Sequence, residues 1–129
     1  MAEAATNVEL TEEALAGECV RICEERKALD IRLYNVQGTS MITDYYLICS
    51  GNSEPHIQGI AANLDKELAG FGLRPAHIDG AASSRWIVMD YGTVLIHIFH
   101  PSVRTFYEIE AFLGDEKLVY SSHQDDTSL

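Results

Sequence analysis

Apolar residues recur along this chain at two spacings, and each spacing assigns its stretch to an element. Leu15, Cys19, Ile22, Cys23 and Arg26 fall on one stripe at helical spacing, which predicts a helix over about residues 12–27. Thr11 is placed to cap it, and Glu12 and Glu13 suit the positive end of its dipole. Ile31–Val36 is a short β-rich run and predicts a strand. Tyr45–Ser50 is the most apolar strand candidate and is ended by Gly51-Asn52. Ser53 then caps a second helix, with Pro55 in the first turn, where a missing N–H costs nothing. Ile57, Ile60, Ala61, Leu64 and Leu68 form its stripe, and Gly70 and Gly72 stop it. Arg74–Ile78 reads as a short edge strand and Asp79–Arg85 as a loop of small residues. Trp86–Asp90 and Val94–Phe99 are two strands of a hairpin. Pro101 opens a third helix, with Val103, Phe106, Tyr107, Glu110 and Leu113 on one stripe and Gly114 closing it. The predicted order is α-β-β-α-β-β-β-α, a mixed sheet of about five strands with helices, in the α/β or α+β class. Residues 1–9 are expected to be a flexible N-terminus and 10–114 a single domain. Residues 115–129 are expected to be an acidic, flexible tail with one apolar patch, Leu118-Val119-Tyr120.

The hairpin carries the most information. A two-residue loop pairs Asp90 with Thr93, Met89 with Val94, Val88 with Leu95, Ile87 with Ile96 and Trp86 with His97; a four-residue loop keeps the last four pairs. Side chains alternate faces along each strand. One face then holds Ile87, Met89, Val94, Ile96 and Ile98 and is purely aliphatic. The other holds Trp86, Val88, Asp90, Leu95, His97 and Phe99 and is mixed and aromatic. A three-residue loop would scramble both, so an even loop is preferred. The aliphatic face is the one helices must cover. The mixed face is either a second core layer with His97 inside it, or a partly exposed patch anchored by Trp86 and rimmed by Asp90 and Tyr91, with the character of a protein-interface hot spot.

Charge narrows the choice of partner. The 129 residues carry twenty acids against nine Lys and Arg, a formal net of −11. Residues 1–30 hold net −5 and residues 114–129 net −3, so both ends are acidic and the middle is mildly so. A protein that neutralises phosphates needs a basic footprint, and none is present, which argues against direct contact with nucleic acid. An anionic membrane would repel the chain, no apolar run approaches the ~20 residues of a span, and no secretory signal is visible. Three cysteines, Cys19, Cys23 and Cys49, are too few and too odd in number for a disulfide framework, which suits a reducing, cytoplasmic setting.

Candidate catalytic chemistry is thin. Cys19 and Cys23 lack two further zinc ligands nearby, and His97 and His100 are three apart, on opposite faces of a continuous strand. No metal or cofactor is expected. Ser50-Gly51-Asn52-Ser53 joins a strand to a helix N-terminus, where anions can bind, but it lacks the Lys and glycine spacing of a P-loop. Strand end plus helix cap explains Gly51 and Ser53 completely. Asp44 and Asp90 lie at strand ends, where a two-carboxylate site could form, although Asp at a turn is common for local hydrogen bonding.

Three blocks of residues together resemble one family. Asp44-Tyr45-Tyr46-Leu47-Ile48-Cys49-Ser50-Gly51-Asn52-Ser53 is similar to the central signature of the ribosomal silencing factor family, also called Iojap. Trp86-Ile87-Val88-Met89-Asp90-Tyr91-Gly92, followed by Val94–Phe99, matches a second block, and Arg104, Phe106-Tyr107 and Glu110 a third. The resemblance covers about residues 10–114. It implies a fold related to nucleotidyltransferases that has lost the catalytic carboxylates, and here no Asp-x-Asp follows Ser53. It also implies a protein that is not an enzyme, binds large-subunit ribosomal protein fourteen, and blocks joining of the subunits when nutrients are scarce. Carried over, the family's partner surface falls on Trp86, Asp90, Tyr91 and His97, to which hairpin parity adds Val88, Leu95 and Phe99. Asp44, Tyr45, Ser50, Gly51, Asn52 and Ser53 are expected to be structural. Two positions depart from the family: Thr93 stands where an acid often follows the glycine, and Phe112-Leu113 stands where Leu-Trp is more usual. The expectation is a non-enzymatic factor on the large subunit with little direct RNA contact. Alternatives are a residual nucleotide-binding protein using the Ser50–Ser53 turn, and a structural homodimer.

Overall fold

A computed structural model describes residues 10–122. The expected flexible N-terminus, 1–9, and the last part of the expected tail, 123–129, lie outside the described residues. In chain order the elements are α1 (Glu12–Glu25), β1 (Leu29–Asn35), β2 (Tyr45–Ser50), α2 (Glu54–Ala69), β3 (His77–Ala81), β4 (Trp86–Asp90), β5 (Val94–Phe99), α3 (Pro101–Tyr107), α4 (Glu110–Leu113) and β6 (Leu118–Ser121). The strands form one six-stranded sheet in the order β3-β4-β5-β2-β1-β6. Only β2 and β5 pair in parallel; the other neighbours are antiparallel. The mixed α+β class is as expected, with six strands in place of about five.

Both predicted caps form. The Thr11 hydroxyl accepts from the Ala14 N–H at 3.0 Å, and the Ser53 hydroxyl accepts from the His56 N–H at 3.2 Å. Capping satisfies N–H groups that the helix itself leaves unpaired. α1 and α2 then bury their stripes, Leu15, Cys19, Ile22 and Cys23 with Ile57, Ile60, Leu64 and Leu68, against one face of the sheet. That face presents Ile31, Leu33, Leu47, Cys49, Ile87, Met89, Val94, Ile96 and Ile98. All three thiols sit inside this layer as small hydrophobes; burial pushes the Cys19 thiol up to about 12, so it stays protonated.

Three segments differ from expectation. β3 runs His77–Ala81 rather than Arg74–Ile78, so the start of the supposed loop is an exposed edge strand. The third helix is broken: Glu108 adopts a left-handed conformation (φ 49°, ψ 46°), which separates α3 from α4. The five residues read as one stripe are therefore not on one face, and Phe106 points to solvent. Finally, Leu118-Val119-Tyr120 is not part of a flexible tail. It lies in β6, paired with β1, with Leu33 opposite Tyr120 and Tyr34 opposite Leu118. The Ser122 hydroxyl accepts from the Ile31 N–H at 2.8 Å, and the Tyr120 hydroxyl donates to Glu24 on α1.

A candidate protein-binding surface on the second sheet face

The hairpin keeps the predicted faces but not the predicted pairs. Asp90 lies opposite Leu95, Val88 opposite His97 and Trp86 opposite Phe99. The Tyr91 N–H donates to the Val94 carbonyl, so the two-residue loop is Gly92-Thr93, one step further along than expected. Gly92 sits at φ 81°, a conformation open to glycine at little cost and a reason for the turn to centre there. Each pair shifts by two residues, and a shift of two leaves every side chain on its face.

The second face is partly covered. Tyr34, Val36, Ile48 and Phe99 form a small buried layer, closed at one end by Val103, Ile109 and Leu113 from the α3–α4 region and by Leu118 of β6. His97, 7% exposed, is inside it. The Trp86 indole Nε1–H donates to His97 Nδ1 at 3.1 Å, which makes Nδ1 an acceptor and the ring neutral. Burial lowers the His97 pKa to about 4. The His97 ring stacks on Tyr46 at 5.8 Å and on Phe99 at 5.7 Å. Trp86 itself is half-buried, with Phe99 and Tyr107 each 4.9 Å from its ring. Val88, Asp90, Leu95 and Tyr46 are also half-buried. His97 and Phe99 therefore belong to a core layer, and Trp86, Val88 and Leu95 are the open part of this face.

Tyr91 is the exception among the expected surface residues. It packs against the aliphatic layer on the opposite side of the sheet, and burial raises its phenol. Parity explains this, since Tyr91 follows Ile87 and Met89. Asp90 stays at the rim, with one carboxylate oxygen accepting from the Gly92 N–H at 2.8 Å. Residues absent from the expected surface also line it. Tyr46, Val103 and Tyr107 meet Trp86, His97 or the layer beneath them. The one signal in the sequence is Pro101, which places a helix close after β5 without fixing the face it covers.

Two amides of the strand–helix turn at Ser50–Ser53 are already taken by the protein itself. The Gly51 N–H donates to the Phe99 carbonyl at 2.9 Å, and the Asn52 N–H donates to His56 Nδ1 at 3.0 Å. His56 Nε2 in turn meets the Arg26 carbonyl at 2.8 Å, tying α2 to the end of α1. A Cβ on Gly51 would lie 2.8 Å from Ile57 Cγ1, so glycine is needed there for close packing. Ser50 is buried and accepts from Arg104 at 2.9 Å. Tyr45 is buried in the aliphatic layer, and Asp44 pairs through its backbone with Val36 and Thr93. Among the described residues no group of three His, Cys, Asp or Glu side chains is placed to hold a metal. No described helix is long and apolar enough to cross a membrane.

Beside that turn a cleft of about 440 Å³ contains Asp30, Arg32, Arg104, Glu108 and Glu110. Arg104 is 7% exposed and grips Glu110 with two bonds, Nε to Oε1 at 3.2 Å and the terminal nitrogen to Oε2 at 2.7 Å. Arg32 reaches Asp30 at 3.3 Å and Glu110 at 3.5 Å. Three acids outnumber two cations, so the cleft is a paired lock and a poor host for phosphate.

Fold and site together define a mixed α+β protein whose distinguishing open feature is an aromatic sheet face. The chain belongs to the ribosomal silencing factor family: the family model described as "Ribosomal silencing factor during starvation" matches residues 9–128. It is 34% identical over 96 residues to ribosomal silencing factor RsfS of Bacillus subtilis, covering 74% of this chain and 81% of that protein. It is 34% identical over 110 residues to RsfS of Halalkalibacterium halodurans, covering 85% and 94%. A crystal structure from Bacillus halodurans superposes with a TM-score of 0.74 at 31% identity, over 84% of this chain and 98% of that one. The family's role is regulatory rather than catalytic.

Proposed function

We propose that this protein docks on the large ribosomal subunit through ribosomal protein fourteen and sterically blocks joining of the small subunit, repressing translation in the cytoplasm under nutrient limitation. The observation that carries the reading is the open aromatic surface around Trp86. Aromatic anchors on a rigid sheet, rimmed by Asp90, are the composition of an interface centre. The net charge of −11 favours a basic protein partner over RNA.

The test is a pull-down on isolated large subunits. Trp86→Ala is expected to weaken binding by about 2 kcal/mol or more. Because Trp86 also packs on Phe99 and donates to His97, the same variant is expected to lower the melting temperature by several degrees while remaining folded. Val88→Glu separates the two effects, since Val88 is half-buried on the same face and its side chain makes no hydrogen bond. It should abolish capture with a smaller thermal change. A folded Val88→Glu protein that binds as wild type would refute the surface.

A further inference from the structure

The expected partner surface ends at the sheet, but the open aromatic surface does not. α3 is seven residues long, and a helix that short does not hold itself together in water. It is held by its inner side. His100 Nδ1 caps it, accepting from the Ser102 N–H at 3.2 Å. Val103 packs into the second layer. Arg104 enters the cleft, with Ser50 at the end of β2 and Glu110 beyond the helix break as its partners. The break itself lets Glu110 come back to Arg104: the Glu108 N–H makes the last helical bond, to the Arg104 carbonyl at 2.9 Å, and the left-handed backbone of Glu108 then redirects the chain.

So fixed, α3 turns its aromatic residues outward. Phe106 is 79% exposed and Tyr107 is 50% exposed. Their rings meet edge to face at 5.0 Å, and Tyr107 lies 4.9 Å from Trp86. Between α3 and the sheet runs a groove of about 530 Å³ walled by Trp86, Val88, Val103 and Tyr107, with Asp79 and Ser84 at its margin. The Asp79 side chain is 70% exposed. An apolar floor with a carboxylate at the mouth suits an apolar side chain that has a cation beside it. A second copy of this chain is a poor occupant, because each copy carries −11.

We infer that the groove between α3 and β4 receives an apolar side chain of the basic protein partner, that Phe106 and Tyr107 extend the docking surface over it, and that the Arg104–Glu110 lock is the positioning device for that aromatic pair. The inference rests on the proposed docking through the Trp86 face and adds to it the second wall of the site.

Binding of isolated large ribosomal subunits by the full chain, measured by interferometry beside thermal melts, tests it. Phe106→Ala is expected to weaken binding by about tenfold, with the melting temperature unchanged because the ring is mostly in water. Asp79→Lys is expected to weaken binding several-fold; tighter binding would overturn the basic occupant. Glu110→Gln is expected to weaken binding in the wild-type background and to add nothing in a Phe106→Ala, Tyr107→Ala background. A purely structural role for the lock would weaken both backgrounds alike and would overturn the positioning claim. If Phe106→Ala and Tyr107→Ala bind as wild type while Trp86→Ala does not, the extension onto α3 is wrong and the sheet reading stands. If Trp86→Ala and Val88→Glu also bind as wild type, the underlying reading fails. A dimer in light scattering that Phe106→Ala dissociates, with subunit binding intact, would assign the groove to a second copy instead.

Discussion

At the scale of single residues, His97 shows how one side chain can serve both the core and the surface. It is neutral because it is buried, and being neutral it can accept the Trp86 indole hydrogen. Its pKa of about 4 lies below the ordinary 6.5, so between those values the unfolded chain holds more protons than the folded one. Stability is therefore complete above about pH 6.5 and falls as the pH drops toward 4, by up to about 1.4 kcal/mol per pH unit from this group. Replacing the ring with an amide, His97→Gln, is expected to flatten the slope of melting temperature against pH in this window by up to one proton. It should also lower stability at pH 7, where the Trp86 partner and the stacking on Tyr46 and Phe99 are lost. If acid melts of the variant and wild type stay parallel, His97 is not the group that titrates.

Elements reveal what is local in this fold and what is not. The strand–turn–helix unit from Tyr45 to Ala69 is legible residue by residue, because the apolar run, Gly51, the Ser53 cap and Pro55 all act on their near neighbours. Gly51→Ala is expected to destabilise the protein by about 1–3 kcal/mol in chemical denaturation, since the added methyl meets both the Ile57 side chain and its backbone. A variant as stable as wild type would mean that α2 can slide outward freely. The hairpin faces were equally legible, because a period of two survives any even shift in register. The candidate surface was only half legible for a related reason. Parity identifies which residues share a face, but not which of them another element covers. β6 and the break at Glu108 were not legible. Three apolar residues among acids read as a tail, and they become a strand only because β1 presents an open edge. Glu108 has neither glycine nor proline at or beside it, and its left-handed turn is supported by Arg104 and Glu110 meeting across it. Removing residues 115–129 is accordingly expected to destabilise the domain and accelerate proteolysis by uncovering Leu33 and Tyr34 at the sheet edge. Removing only 123–129 keeps β6.

Across the whole molecule, charge and docking surface are separated, and that separation predicts kinetics. Most of the −11 lies in the first thirty and last sixteen residues, whereas the Trp86 surface is aromatic with single acids at its margin. Like-signed charge spread over a chain acts at long range, so it should steer a basic partner during approach more than it holds the complex afterwards. Screening decides the range: the Debye length is about 8 Å at physiological ionic strength and about 30 Å at 0.01 M. The association rate with large subunits is therefore expected to fall several-fold as salt rises from 0.01 to 0.15 M, with the dissociation rate nearly constant. Trp86→Ala should show the opposite division, a faster dissociation rate and an unchanged salt slope. Truncation after Ser122 removes Asp125 and Asp126 without touching β6, so it is the clean variant for the acidic end. It should reduce the salt dependence of association while leaving dissociation alone. An association rate whose salt slope survives that truncation intact would give the steering to the rim acids Asp79 and Asp90 and to the acidic first thirty residues, and would leave the C-terminal segment no electrostatic part in finding the ribosome.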